Sequence, residues 1–352
     1  MNRILTTTLI IRFSSVGDII LTSPLIRTLR ARYPHCRIDF LVKEEYADLI
    51  RHNPHISQTL LFPTGGTSGD LRRLRTQVQA ARFDVILDMH DSIRSRALCC
   101  GPTPVLRYRK RRFARFVLIH GKADVYHWSG GAPPITGRYL EAARSLGIAD
   151  DGAGPEVFVP DSIQAKVTEM LSSAGFPPGT RFLGICPSAR HATKMWLPER
   201  YAAAAANLAA SHGLSVLLFG SEYERERCGT IATLIQQASP GVSVHNAAGE
   251  FPLLETAAAM DHCAIVISND TGLMHLASAR KRPLVAVFGP TVRQFGFFPS
   301  GAESRVVERE GLSCRPCTAI GRATCPLGHF RCMQDIHESD VLTAAHALLN
   351  RN

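Results

Sequence analysis

Two trains of alternating strand and helix signals, separated by a single break, limit what this chain can fold into more than any other feature. Apolar runs of strand length fall at 8–13, 37–42, 57–62 and 84–89, with helix-like segments at 24–33, 44–52 and 71–82. That order predicts a parallel sheet with right-handed crossovers. At Ala149-Asp-Asp-Gly-Ala-Gly-Pro155 the periodicity stops, and the glycine, proline and acidic residues there suit a domain linker. The rhythm then resumes, with strands at 182–186, 215–219, 242–245, 264–268 and 284–288. Helices are expected at 198–212, 222–237, 253–260, 272–279 and 339–349. The expectation is an α/β protein of two Rossmann-like, doubly wound parallel-sheet domains facing a central cleft. With 352 residues, 45% of them hydrophobic, the chain can bury two cores. No short-period repeat suggests a solenoid.

The charge is lopsided. Residues 1–160 carry 23 Lys and Arg against 14 Asp and Glu, whereas 161–352 carry 17 against 16. The excess peaks in Leu106-Arg-Tyr-Arg-Lys-Arg-Arg-Phe-Ala-Arg115, with six cations in ten residues. Such a run is either a solvated basic loop or a site for an anionic partner: nucleic acid, an acidic membrane surface or an acidic substrate. Tyr108, Phe113 and Phe116 alone interleave with it, too few aromatics for a nucleic-acid surface, so no nucleic-acid partner is expected. The opening residues lack a small-residue cleavage pattern, and no run reaches the roughly 18 apolar residues of a membrane span. A cytoplasmic protein is expected.

In open parallel sheets, ligands lie beyond the carboxyl ends of the strands, so the exit loops come first. The first strand ends in Arg12-Phe-Ser-Ser-Val-Gly-Asp18. Gly17 permits a tight turn, and Asp18 stands at a helix entrance as either a cap or a functional carboxylate. No Gly-x-Gly-x-x-Gly or Walker lysine is present, which disfavours a dinucleotide oxidoreductase. In the second half, Pro187-Ser-Ala-Arg-His-Ala-Thr-Lys-Met-Trp-Leu-Pro198 sets Ser188 and Lys194 at a strand exit, as a phosphate site would, although a plain surface loop would read the same. Ala264-Ile-Val-Ile-Ser-Asn-Asp-Thr-Gly-Leu-Met-His275 runs a buried strand straight into a helix at Thr271 and Gly272. The amides of that helix N-terminus suit a pyrophosphate. Asp270 would repel one, and so reads as a helix cap or a hydroxyl acceptor. His275, inside the helix, reads alone as a packed histidine.

Phe13-Ser-Ser-Val-Gly-Asp18, Lys194-Met-Trp-Leu-Pro198, Asp270-Thr-Gly-Leu-Met-His275 and Phe288-Gly-Pro-Thr291 resemble, in order and spacing, the bacterial heptosyltransferases of glycosyltransferase family 9. The resemblance runs from about residue 8 to the last helix. It implies a GT-B fold: an acceptor domain over 1–160, a nucleotide-sugar domain over 161–335, and a terminal helix, 336–352, packing back toward the first domain. It implies an inverting transfer of heptose from ADP-heptose to the lipopolysaccharide inner core, with no cofactor required. Asp18 would be the general base and Lys194 would face the diphosphate. Ser188, Glu222, Asp270, Thr271, Gly272 and His275 would line the donor site, with 251–253 as part of its wall. Ser14, Gly17, Arg107, Arg109, Arg111 and Arg112 would meet an anionic glycolipid acceptor. The same basic run would allow peripheral association with the inner face of the inner membrane. A monomer is expected. Another nucleotide sugar as donor, or a non-catalytic nucleotide-binding protein, is the alternative.

Cys314, Cys317, Cys325 and Cys332 are spaced Cys-x2-Cys-x7-Cys-x6-Cys. A structural zinc is one reading, but the second pair is too widely spaced for a typical ribbon. Reduced thiols, with no metal, are preferred in a chain lacking a secretion signal.

Overall fold

The computed structural model describes residues 5–350. It divides into two units, one made of residues up to Lys110 plus Pro133–Phe158, the other of Arg111–Ala132 plus the chain from Val159 onward.

The first unit is built from β1 (Thr7–Ile11), α1 (Val16–Ile20), α2 (Ser23–Arg32), β2 (Arg37–Lys43), α3 (Asp48–Arg51), β3 (Gln58–Phe62), α4 (Ser68–Ala80), β4 (Val85–Asp88), α5 (Ile93–Leu98) and β5 (Val105–Arg107). Its strands form one sheet in the order β3-β2-β1-β4-β5, and every neighbouring pair is parallel. With helices on the faces of the sheet, the end of β1 is apolar and Leu9, Ile10 and Ile11 are all buried. After β5 come α6 (Arg112–Gly121), which groups with the second unit, and α7 (Ile135–Ala142), which packs on α2.

The second unit continues with α8 (Asp161–Ser173), β6 (Phe182–Cys186), α9 (Pro198–His212), β7 (Ser215–Leu218), α10 (Arg225–Ala238), β8 (Val244–Asn246) and α11 (Leu253–Asp261). It ends with β9 (Cys263–Asn269), α12 (Gly272–Ala279), β10 (Leu284–Phe288), β11 (Ser304–Glu308), α13 (Arg331–Gln334) and α14 (Glu338–Leu349). The sheet order is β11-β10-β9-β6-β7-β8, again all parallel. Pro198 opens α9 and Gly213 closes it in the left-handed conformation, as proline and glycine do at helix ends. On central strand β6, a Cβ at Gly184 would come within 2.9 Å of the Cys263 sulfur and 3.1 Å of the Phe219 ring. Gly184→Ala is therefore expected to destabilise the protein by about 1–3 kcal/mol through overpacking, measurable by urea denaturation.

Two features of this division bear on the expected organisation. The basic run does not belong to one domain, because Arg111–Ala132 groups with the second unit. The cause is apolar: Ala114 and Leu118 of α6 pack with Val125, Tyr126 and Phe295. The terminal helix, expected to pack toward the first domain, contributes a stripe to the second unit's own core. Val341, Ala345 and Leu348, one stripe of α14, join Ile185, Val285 and Val287 in the second unit's core. The short edge strand β5, strand β11 and helices α5 to α8 escaped the sequence reading, since basic or mixed segments hide their periodicity.

In each sheet the chain reverses its direction of winding once, between β1 and β4 in the first and between β6 and β9 in the second. Ligands of doubly wound folds bind beyond such switch points. Among the described residues, no helix is long and apolar enough to cross a membrane.

Candidate active site

At the first switch point, β1 exits through Arg12 and Phe13, and Ser15 becomes the N-cap of α1. Asp18 is therefore not the cap but the third helical residue. Its carboxylate accepts from the Ser15 hydroxyl at 3.0 Å and pairs with Arg12 Nη2 at 2.7 Å. Arg12 is itself buried and fixed: it donates to the carbonyls of Ser14 (2.8 Å) and Met89 (2.5 Å), and its guanidinium lies 5.8 Å over the Tyr139 ring. Burial by itself would raise the Asp18 pKa, but the Arg12 charge and the Ser15 hydrogen bonds outweigh it and hold the carboxyl below its ordinary value. The side chain keeps 20% exposure. Gly17 is buried in the turn, and Ser14 contributes its backbone carbonyl to Arg12.

The neighbouring exit, after β4, is filled by charge pairing. Asp88 is fully buried and accepts from the His90 and Asp91 amides, the Ser95 hydroxyl and Arg107 Nε at 2.9 Å. Arg107, expected at the acceptor, pairs here with Asp88 and, at 4.0 Å, with Asp91, its side chain one-third exposed. Arg109 is exposed, Arg111 donates to the Gly131 carbonyl, and Arg112 is exposed at the start of α6. His90 is neutral at pH 7, because burial first and then the Arg12 and Lys110 charges push its pKa down to about 4.

At the second switch point the loop after β6 carries Ser188 and Lys194. Lys194 Nζ lies 2.6 Å from Asp270 Oδ2, with the two side chains 15% and 7% exposed. The Thr291 hydroxyl donates to the same Asp270 oxygen at 2.7 Å. Asp270 is thus occupied by a lysine and a threonine and does not cap α12, which corrects one of its two expected roles. The cap of α12 is Thr271, in extended conformation and with no side-chain hydrogen bond to the helix amides. Two buried polar atoms stand close by in sequence without a hydrogen-bond partner among the described residues, Ser188 Oγ and Asn269 Nδ2. Native folds rarely leave such atoms unpaired, so each has a hydrogen bond to offer a bound group or water. His275 is buried in α12, its ring 6.3 Å from that of Phe297. Glu222 is exposed after β7, its carboxylate lying against Gly249.

The Lys194 loop is pinned from two directions. Trp196, fully buried, donates its amide to Asn269 Oδ1 at 3.0 Å and its indole N–H to the Ile336 carbonyl at 3.1 Å. Thr193 exchanges hydrogen bonds with the backbone of Arg322, donating to its carbonyl and accepting from its amide at 2.8 Å. The cysteine-rich segment therefore serves as a brace for the lysine loop. Its Gly321, at φ +108°, would place a Cβ 2.5 Å from that of His191. Gly321→Ala is expected to loosen the brace and raise the KM for donor more than it lowers the melting temperature, a difference steady-state kinetics and thermal melts would reveal. Trp196→Ala should cost about 3–5 kcal/mol of stability, seen as an earlier urea midpoint. All ten cysteines are free, and burial followed by the neighbouring Cys314 and Cys325 pushes up the Cys317 thiol. Among the described residues, no group of three or more His, Cys, Asp or Glu side chains is arranged to hold a metal ion. The zinc reading of Cys314, Cys317, Cys325 and Cys332 gains no support from that.

The family model for glycosyltransferase family 9 (heptosyltransferase) matches residues 71–327. The chain belongs to glycosyltransferase family 9. This family 9 enzyme is 27% identical to lipopolysaccharide heptosyltransferase 2 of Salmonella typhimurium over 97% of its own length and 98% of that protein's. Among solved structures, a family 9 glycosyl transferase from Veillonella parvula matches with a TM-score of 0.83 and 21% identity, covering 100% of this chain and 99% of that one. The E. coli ADP-heptose lps heptosyltransferase II matches with a TM-score of 0.72 and 24% identity, over 98% and 99%. The fold is GT-B, and the chain is a transferase.

Arg12, Thr291 and Asn269 were quoted in sequence motifs but given no role. A signal existed for Arg12: an arginine closing a buried strand needs a partner, and Asp18 is the nearest carboxylate downstream. Nothing local marked Tyr139, Arg322 or Gly321.

Proposed function

We propose that the protein is an inverting heptosyltransferase that moves heptose from ADP-heptose to the lipopolysaccharide inner core, with Asp18 as general base. The reading is carried by one observation: a Lys194–Asp270–Thr291 cluster beside the uncapped start of α12, with two unpartnered buried polar atoms in the same loops. A diphosphate leaving group is what such a place suits. Amides at a helix N-terminus and an ammonium group stabilise charge that grows as the sugar–phosphate bond breaks. On the acceptor side, Asp18 takes the proton from the attacking hydroxyl while that oxygen bonds to the anomeric carbon and the diphosphate departs. With Asp18 proposed as the one base and no second nucleophile assigned, the transfer is a single displacement with inversion. The names of the Salmonella and E. coli relatives support the heptose, the ADP and the lipopolysaccharide. Arg109 and Arg112, both exposed, are the cations proposed for an anionic acceptor. Action as a monomer at the inner face of the inner membrane belongs to the same proposal.

Thermal shift with ADP-, UDP- and GDP-sugars tests the donor. Saturation at about 100 times Kd stabilises a protein by about 2.7 kcal/mol, so ADP-heptose is expected to raise the melting temperature by several degrees and the other nucleotides not at all. Preference for a uridine sugar would overturn the donor assignment.

A further inference from the structure

Residues 111–132 leave the first unit's chain between β5 and α7 and pack on the second unit. One stripe of α6, Ala114 and Leu118, is buried. Another stripe is aromatic and open to water: Phe113 is 66% exposed and Phe116 is 61% exposed. Phe113, Phe116 and His120 follow helical spacing along one face, and the Phe116 and His120 rings meet at 4.5 Å. In the turn that follows, Tyr126 is buried against α6 while Trp128 is 70% exposed. A single exposed aromatic side chain needs no explanation, but three within one short segment do. The segment also holds Arg111, Arg112, Arg115 and Lys122 against Asp124 alone, a net +3.

We propose that α6 and the turn after it form the surface by which the protein lies on an anionic lipid bilayer. Phenylalanine and tryptophan rings settle at headgroup depth, and arginine and lysine beside them attract acidic headgroups. The charge selects a bilayer over a neutral apolar partner. Among the described residues no helix is long and apolar enough to cross a membrane, and the association proposed is a peripheral, reversible one. The proposal deepens the membrane-face part of the proposed function, because a lipid-borne acceptor would be met in the plane where the enzyme rests.

Sedimentation with vesicles of phosphatidylethanolamine and phosphatidylglycerol tests it, with phosphatidylcholine vesicles as the neutral control. The wild type is expected to bind the anionic vesicles, to release them as salt rises, and to bind the neutral ones at least tenfold more weakly. Phe113→Ser, Phe116→Ser and Trp128→Ser combined should reduce binding at least tenfold, with unchanged melting temperature and unchanged transfer to a delipidated, water-soluble acceptor. Equal binding by the triple variant, or no binding by the wild type, overturns the proposal. So does self-association without vesicles that the same substitutions abolish, which would assign the surface to a second copy of the chain. Transfer to the soluble acceptor is read separately, so failure of the heptosyltransferase reading shows there and not in the vesicle assay.

Discussion

Asp18→Asn is expected to lower the transfer rate by about 10²–10⁴-fold while leaving donor affinity unchanged, measured by single-turnover transfer and by titration with donor. The amide is nearly isosteric with the carboxylate but cannot accept the proton. It also leaves the buried Arg12 without its anionic partner, so a modest loss of stability should accompany the loss of rate. Arg12→Met separates the two effects. Without that guanidinium the Asp18 pKa rises, and the acid limb of the kcat/KM profile should move to higher pH. The sign follows from the direction of the shift. A carboxyl held below its ordinary pKa stays ionised well into acid, and both its base function and its contribution to stability disappear only as pH falls through that lowered value. An acid limb that does not move in Arg12→Met would exclude Asp18 as the titrating base. Neutral His90 adds no competing charge near pH 7, since it protonates only near pH 4.

Lys194→Met is expected to damage the protein in two ways. Chemically, the leaving diphosphate loses an ammonium group, and turnover should fall by about 10²–10³-fold. Structurally, Asp270 becomes a nearly buried carboxylate supported by Thr291 alone. Removing one member of a buried pair costs about 3–5 kcal/mol, because the remaining charge is left without compensation. The double variant Lys194→Met, Asp270→Asn should recover most of that stability, since a neutral amide replaces the stranded charge, yet it should not recover turnover. Urea denaturation and steady-state kinetics on the two variants give a clear decision. Recovery of turnover in the double variant would show that Lys194 acts only by neutralising Asp270 and not on the diphosphate.

Much of the fold could be read along the chain. Strands buried on both faces are continuous apolar runs, as in β10, and their exit loops follow from the parallel order. The exit residues Asp18, Ser188, Lys194 and Asp270 were found that way, because a ligand-binding position in such a sheet is a property of connectivity. The helices that were missed carry their pattern weakly: α6 begins in a basic run, and its buried residues are only Ala114 and Leu118.

What the side chains at those exits do was another matter. Thr193 and Arg322 lie 129 positions apart, Lys194 and Asp270 meet from two different loops, and Arg107 pairs with Asp88 across 19 positions. Periodicity and local motifs carry information over a few turns of chain, so they locate strands, helices and the ends of strands. Ion pairs and buried hydrogen bonds depend on distances of a few ångströms between groups remote in sequence, and only the folded chain decides which cation is consumed within the protein and which is left to face a substrate or a membrane.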